Sequence, residues 1–283
     1  VPGLLFMLIF LYIPFVENIK NSFYNMTAIV EMPGTTWKFI GLENYKRMFT
    51  DPDVGRALIN SIKMMILTVI FEVGIAFVLA VMVSQIKKLQ QLFRTVYFFP
   101  VVISATAIGL LFKLFYNYNG GMLNQILEKF GAEPVNWLSP KLAFAMVCIP
   151  TLWSYIGFYF VILLTGLSDI SDDIYEAASI DGCNRFKQVF YITLPSIMPT
   201  IAIVFIMATA SLVVSNFDQV YGFQNAYIQE KTEVINTLVY REGILNAEYS
   251  MATAFGIAQG LVSFILVFIT NKIVKKVSDI GIW

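Results

Sequence analysis

Long apolar stretches recur along this chain at a spacing that no water-soluble core could bury. A helix needs roughly 20 mostly apolar residues to cross a bilayer. Segments at about Leu58–Ser84, Leu92–Tyr116, Leu142–Leu167, Ser196–Phe217 and Met251–Lys272 meet that need. Val1–Val16 is shorter and reads as a truncated span, since the chain begins at Val1 rather than at a methionine. It lacks the basic leader and small-residue cleavage site of a signal peptide. None of these segments alternates with the period of two that a barrel wall requires. Backbone groups away from water must be satisfied within their own segment, so each segment is expected to be helical. The fold class is all-α: a polytopic membrane bundle of about six transmembrane helices.

Composition agrees with lipid as the solvent. Hydrophobic residues make up 58% of the chain and charged residues 13%, with a mean hydropathy of +0.71. Soluble domains carry about 25% charged residues. The formal net charge is zero, which argues against a nucleic-acid partner. Histidine is absent, and Cys148 and Cys183 read as free thiols with no metal-ligand spacing. No Gly-x-x-x-x-Gly-Lys-Ser/Thr loop occurs, so the chain is not expected to bind or hydrolyse ATP itself. No Ser/His, Cys/His or metal cluster suggests an intramembrane enzyme, and no catalytic residue is assigned.

The positive-inside rule orients the spans. Lys87, Lys88 and Arg94 lie between the second and third segments, and Lys272, Lys275 and Lys276 close the last one. Both sites are expected in the cytoplasm. By alternation, so is the connection at 168–195, while Glu17–Ala57, Asn117–Lys141 and Asp218–Ser250 are external. No linker or low-complexity stretch divides residues 1–283, which read as one transmembrane domain. Short surface helices are expected at Leu42–Thr50 and Gly121–Phe130.

The cytoplasmic connection carries Glu176-Ala177-Ala178-Ser179-Ile180-Asp181-Gly182 and then Ile192-Thr193-Leu194-Pro195. Asp173 and Glu176 match a capping box. A short helix would run from Ile174 to about Asp181, with Gly182 as the left-handed residue that ends it. A second would span about Arg185 to Tyr191, placing Pro195 near the first turn of the fifth span. The adjacent small residues Ala177 and Ala178 let one helix face lie close to another surface.

This spacing resembles the EAA loop of importer-type ABC transporter permeases. Phe39-Ile40-Gly41-Leu42-Glu43-Asn44-Tyr45, Asn60-Ser61, Phe99-Pro100 and Gly120-Gly121-Met122-Leu123-Asn124 resemble the sugar branch of that family. Thr237-Leu238-Val239-Tyr240-Arg241-Glu242-Gly243-Ile244 and Tyr249-Ser250-Met251-Ala252-Thr253-Ala254 resemble its Gram-positive oligosaccharide permeases. The resemblance implies a multi-pass subunit of a bacterial cell membrane that imports oligosaccharides by alternating access. It implies a second, homologous permease, two ATPase subunits that hold ATP and Mg, and an extracellular sugar-binding lipoprotein. It also implies that Glu176, Ala177, Ala178, Asp181, Gly182, Ile192, Leu194 and Pro195 contact the ATPase.

Polar residues inside a membrane are costly and are candidates for function. Tyr155, Phe158 and Tyr159 share a face of the fourth span with Thr151 and Ile162. Thr209, Ser215, Asn216 and Gln219 form a stripe on the fifth, flanked by Phe217. Gln259 and Ser263 lie four apart on the sixth. Aromatic faces suit the C–H faces of sugar rings, and amides suit paired hydroxyls, so these side chains are expected to line a substrate path. The alternative for the small hydroxyl residues is helix packing. For the tyrosines it is packing or an interfacial belt. Glu72 falls mid-span: it is either a proton-relay carboxylate of an ion-coupled carrier or a carboxylate hydrogen-bonded inside the bundle. A permease of this architecture for glycerol-phosphate or an amino acid is the other rival. The central parts of the spans offer no cation for an anionic solute, which favours a neutral one.

Overall fold

The computed structural model describes residues 2–26, 37–212 and 217–278. Its elements are almost all helical. Helix α1 (Pro2–Asn21) contains no buried residue, although it is apolar and 20 residues long. It extends past the expected end at Val16, with Glu17, Asn18 and Lys20 continuing the helix to Asn21. A two-residue antiparallel pairing of β1 (Tyr24–Asn25) with β2 (Lys38–Phe39) follows. Helix α2 (Glu43–Thr50) matches the expected external helix. Its Asn44 donates from Nδ2 to the carbonyls of Ser22 (2.8 Å) and Tyr24 (3.2 Å), tying the end of α1 in place.

Helix α3 (Pro52–Ser84) is the longest span, at 33 residues. Asp51 caps it by accepting from Asp53 N at 2.9 Å, and Pro52 opens the first turn where no N–H is needed. Its buried face runs through Ala57, Met64, Thr68, Glu72, Ala76, Ala80 and Val83, steps of three, four and seven that follow the helical period. That face meets α7 (Ala143–Ser168), whose Phe160, Leu163 and Leu164 are completely buried. Without a hydrophobic driving force between spans, close approach of small residues provides the packing energy. Gly157 on α7 is the tightest case: a Cβ there would sit 1.8 Å from the carbonyl oxygen of Tyr97.

The third expected span, Leu92–Tyr116, is not one continuous helix. It is α4 (Gln90–Val102) followed by α5 (Ala105–Phe115), bent by 95° between them. Pro100 lacks a backbone N–H and crowds the preceding turn, so the helix fails one turn later. Ser104 then starts a new helix, its Oγ accepting from Ala107 N at 3.3 Å. Pro150 on α7 causes no such break. The proline carbonyl there accepts from Ser154 Oγ at 2.7 Å, and Val147 to Thr151 packs in the core.

Helix α6 (Met122–Lys129) is the second external surface helix. Asn124 organises its loop, accepting from Val135 N (3.0 Å) and Trp137 Nε1 (2.9 Å) and donating to the Val135 carbonyl at 3.0 Å. After α7 come helices α8 (Asp172–Ile180) and α9 (Arg185–Ser196) of the expected cytoplasmic connection, the latter widened to a π turn at Val189–Thr193. Helix α10 (Met198–Leu212) is the fifth span, set at 68° to α9. Outside it lie α11 (Phe217–Phe223), α12 (Gln229–Thr232) and α13 (Ile235–Tyr240), with a π turn at Arg241–Leu245. Helix α14 (Tyr249–Ser278) is the last span. With each bent pair counted as one span, the described residues hold up to six helices long and apolar enough to cross a membrane, and the chain is a multi-pass membrane protein.

Candidate functional site

The connection at 168–195, expected in the cytoplasm, forms a capped, clamped helix pair. Ser171 is the N-cap of α8, its Oγ accepting from Asp173 N at 3.3 Å. The expected capping box of Asp173 with Glu176 therefore does not form. The chain is still extended at Ser171 (φ −62, ψ 135), so the helix starts two residues earlier than Ile174. Asp172 and Asp173 then lie in the first turn, where negative charge suits the helix dipole. At the other end Gly182 has φ +79. Gly182 N bonds the Ser179 carbonyl (3.1 Å) and Cys183 N the Ala178 carbonyl (2.9 Å), the two bonds of a Schellman stop.

Helix α9 is held against α8. Asn184 caps it, accepting from Lys187 N at 2.9 Å. Gln188 Nε2 donates to Ser179 Oγ at 2.8 Å, and the Tyr175 and Thr193 hydroxyls share a bond of 2.9 Å. The pair is also fixed to the C-terminal end of α3. Lys87 Nζ meets Asp172 Oδ2 at 2.5 Å, and Arg185 Nη1 donates to Gln85 Oε1 at 3.1 Å. A polar cavity of about 530 Å³ lies between these parts.

Glu176, Ala177, Asp181, Gly182 and Pro195 are exposed, and Ala178, Ile192 and Leu194 are half-buried. Pro195 falls in the last turns of α9, before the bend, rather than in the first turn of the fifth span. The loop also exposes Ile180 (86%), Phe186 (76%) and Tyr191 (77%). Large apolar side chains this open on a polar, capped segment form an exposed patch of the kind found at interaction surfaces. Sequence reasoning missed Phe186 and Tyr191, although both sit in an otherwise polar loop.

The substrate-path candidates are not gathered at one place. Tyr159 is only 2% exposed, inside the core of α3, α7 and α10, with Tyr155 and Phe158 half-buried beside it. Thr209 is buried, and its Oγ1 donates to the Phe205 carbonyl at 2.8 Å, so its hydroxyl serves its own helix. Ser215 and Asn216 lie outside the described residues. Gln219 leaves the expected stripe: it accepts from Thr151 Oγ1 (2.8 Å) and donates to Ser154 Oγ (3.1 Å), fastening α11 to α7. Gln259 donates to Asn236 Oδ1 at 2.7 Å and borders a separate, mainly apolar cavity of about 620 Å³ between α3 and α14. Glu72 is 2% exposed, and its Oε1 has no hydrogen-bond partner among the described residues.

At the opposite end from α8 and α9, side chains from α11, α13 and the start of α3 form two clusters. Phe217 keeps its expected place beside the fifth span and stacks on Tyr221 (centroids 5.2 Å, 14° between planes). Tyr240 closes against both rings at 5.1 and 5.0 Å. Its hydrogen bond and charge raise the Tyr221 phenol pKa above the ordinary value. Next to Tyr240, Arg241 is clasped by Glu233 (3.0 and 3.1 Å), Asp53 (3.0 Å) and Glu242 (3.1 Å). Burial opposes its charge, but the bonds and carboxylates outweigh burial and hold the guanidinium charged. Asn60 and Ser61 secure the same segment to α3, Ser61 Oγ accepting from Ile235 N at 2.9 Å and Asn60 donating to the Glu233 carbonyl at 3.1 Å.

Known proteins of similar sequence and fold bear on this arrangement. A family model described as "Binding-protein-dependent transport system inner membrane component" matches residues 73–279. The probable ABC transporter permease protein YurN of Bacillus subtilis is 31% identical over 97% of this chain and 94% of its own length. The arabinooligosaccharides transport system permease protein AraP of Halalkalibacterium halodurans is 31% identical over 94% of this chain and 83% of its own. A chain of a bacterial alginate ABC transporter, solved with an alginate pentasaccharide-bound periplasmic protein, superposes with a TM-score of 0.89. It is 25% identical, over 99% of this chain and 94% of that one.

Proposed function

We propose, for a chain that belongs to the family of binding-protein-dependent transport system inner membrane components, the role of membrane-spanning subunit in an ATP-driven importer of oligosaccharides. The observation that carries this reading is the cytoplasmic helix pair. Its two helices are bonded to each other and clamped to α3, and they expose Ile180, Phe186 and Tyr191. A rigid lever with an apolar outer face suits a motor subunit pressing on it. ATP and Mg belong to that separate ATPase, a second permease completes the membrane pore, and an extracellular binding protein delivers the sugar. Glu176, Ala177, Ala178, Asp181, Gly182, Ile192, Leu194 and Pro195 form or brace the contact. The saccharide class is supported by the names of AraP and of the alginate transporter.

The mechanism follows from the packing. Closure of paired ATPases would push α8 and α9 as one body, because Gln188–Ser179 and Tyr175–Thr193 bond them together. The push reaches α3 through Asp172–Lys87 and α10 through the bend after Ser196. Interfaces between packed helices switch between discrete arrangements rather than deforming continuously. The path would then open alternately to the two sides. The test is disulfide trapping: Ala177→Cys should cross-link to an engineered cysteine in the ATPase groove, and the cross-link should stop ATP-driven uptake until it is reduced. Cross-linking at other faces but never at Ala177 would sink the proposal.

A further inference from the structure

Two short helices at the end of the bundle opposite α8 and α9 leave large apolar side chains uncovered. On α6, Met122, Ile126 and Phe130 are all exposed, Phe130 to 85%. They stand four residues apart, so they form one stripe along the helix. Leu123, Asn124 and Leu127 form a second sector, buried or half-buried, and Gln125, Glu128 and Lys129 a third that is polar and exposed. Helix α2 divides the same way. Asn44, Tyr45 and Met48 face inward, and Leu42 at the N-cap and Phe49 (91% exposed) make an apolar flank. Glu43, Lys46, Arg47 and Thr50 make a polar one. A helix on a water-facing surface needs only two sectors, one buried and one polar. A third, apolar and uncovered, calls for a second nonpolar neighbour.

The level of these helices identifies that neighbour. Leu123 packs with Val147 and Cys148, in the second turn of α7. Met48 packs with Val54 and Ala57 at the start of α3, and with Met251 and Phe255 at the start of α14. Helix α7 has 26 residues, which makes it about 39 Å long against about 30 Å of hydrocarbon. Its end turns therefore stand in the headgroup layers, and its second turn lies near the hydrocarbon boundary. The apolar flank of α2 also runs on into the spans. Phe49 lines the cavity between α3 and α14 together with Leu58, Ile62 and Val262, apolar side chains of the spans that are themselves exposed. The charges on the two helices call for no particular headgroup. Glu43 offsets Lys46, Glu248 holds Arg47 at 2.5 Å, and Glu128 offsets Lys129.

We infer that α2 and α6 are interfacial helices whose partner is the phospholipid surface itself. Leu42, Phe49, Met122, Ile126 and Phe130 are seated among the first acyl carbons, and the polar flanks lie in the headgroup layer. A protein partner would have to cover the apolar flanks from beneath the polar ones, at the level where the spans meet lipid. The contact goes beyond the transport reading and depends on no transported solute.

The test uses the complete transporter in phosphatidylcholine nanodiscs that carry a fraction of phosphatidylcholine with a diazirine at the top of one acyl chain. Illumination attaches the lipid to whatever lies beside it, and tandem mass spectrometry locates the adducts. Leu42, Phe49, Met122, Ile126 and Phe130 should be labelled several-fold more than Lys46, Gln125 and Glu128. The pattern should be the same when part of the lipid is replaced by phosphatidylglycerol, and should persist when the extracellular binding protein is added. The double variant Ile126→Ser with Phe130→Ser removes the apolar flank of α6. Labelling at Met122 should then drop several-fold while α2 keeps its own, which also reports that the variant is folded. Equal labelling of all sectors, or none on either stripe, would overturn the inference. Loss of labelling on adding the binding protein would give these flanks to a protein partner instead, and undiminished labelling of the double variant would remove the stripe as the anchor. Each of these outcomes leaves the transport reading standing, since that reading is decided by uptake and cross-linking to the ATPase.

Discussion

Replacing Gly182 separates backbone conformation from steric room in the cytoplasmic loop. Its φ of +79 lies in the left-handed region, and a Cβ built there meets no atom within 4 Å. Any loss in Gly182→Ala therefore comes from the backbone alone, about 1–2 kcal/mol. That corresponds to roughly a 5- to 30-fold change in the local equilibrium between the stopped and frayed helix end. The two bonds at risk are those from Gly182 N and Cys183 N, which hold the turn between α8 and α9. Asparagine tolerates this conformation, so Gly182→Asn should keep most of the activity. Gly182→Asp tolerates it too, but places a second negative charge beside Asp181 at a helix C-terminus, where the dipole disfavours it. The assay is ATP-driven arabinotriose uptake into proteoliposomes holding the complete transporter, with ATPase co-purification measured in parallel. Uptake should fall several-fold in Gly182→Ala and in Gly182→Asp while the permease still reaches the membrane, and Gly182→Asn should stay close to wild type. Wild-type uptake in Gly182→Ala, or equal damage in Asn and Ala, would refute the argument from backbone conformation.

Further outcomes follow from other contacts. Gly157→Ala drives a Cβ to 1.8 Å from the Tyr97 carbonyl oxygen, a backbone atom that cannot rotate away, so α4 and α7 must part. Overpacking of this kind costs about 1–3 kcal/mol or more, and the melting temperature should drop by several degrees, whereas Gly222→Ala, with nothing within 4 Å, should not lower it comparably. Tyr175→Phe removes the 2.9 Å bond to Thr193, a loss of about 1 kcal/mol; less uptake for each ATP hydrolysed is expected, and an unchanged ratio would free that bond from coupling. Glu72→Gln should retain substantial ATP-driven uptake, because nothing among the described residues couples Oε1 to a partner; complete loss with normal assembly would revive an ion-coupled role.

Lipid made the spans legible. A backbone that must satisfy itself over about 30 Å of hydrocarbon leaves a long apolar signature, and α3, α7 and α14 follow it. Local chemistry was equally readable at Gly182 and at the external helices α2 and α6. Where two local signals competed, the sequence could not choose. Ser171 and Asp173 are both able caps, and the extended backbone at Ser171 decided between them. Pro100 and Pro150 both sit in apolar runs, but only the first ends a helix, since Ser104 stands ready to start another. The site residues were harder still. Gln219 looked like a path-lining amide until α7 supplied Thr151 and Ser154. Arg241 meets Asp53 only because α13 folds back on the start of α3. The corner of Phe217, Tyr221 and Tyr240 likewise needs two separate elements to meet, which no single periodicity records.

The energy source is the most direct test of the whole account. Proteoliposomes containing this permease, its partner permease and the ATPase should be given the binding protein and labelled arabinotriose. ATP and Mg are then supplied inside or withheld, with and without an imposed proton or sodium gradient. The account predicts accumulation only with internal ATP, dependent on the binding protein and indifferent to the gradient. Accumulation driven by a gradient without ATP, or ATP-driven uptake that persists when the ATPase is left out, would contradict it.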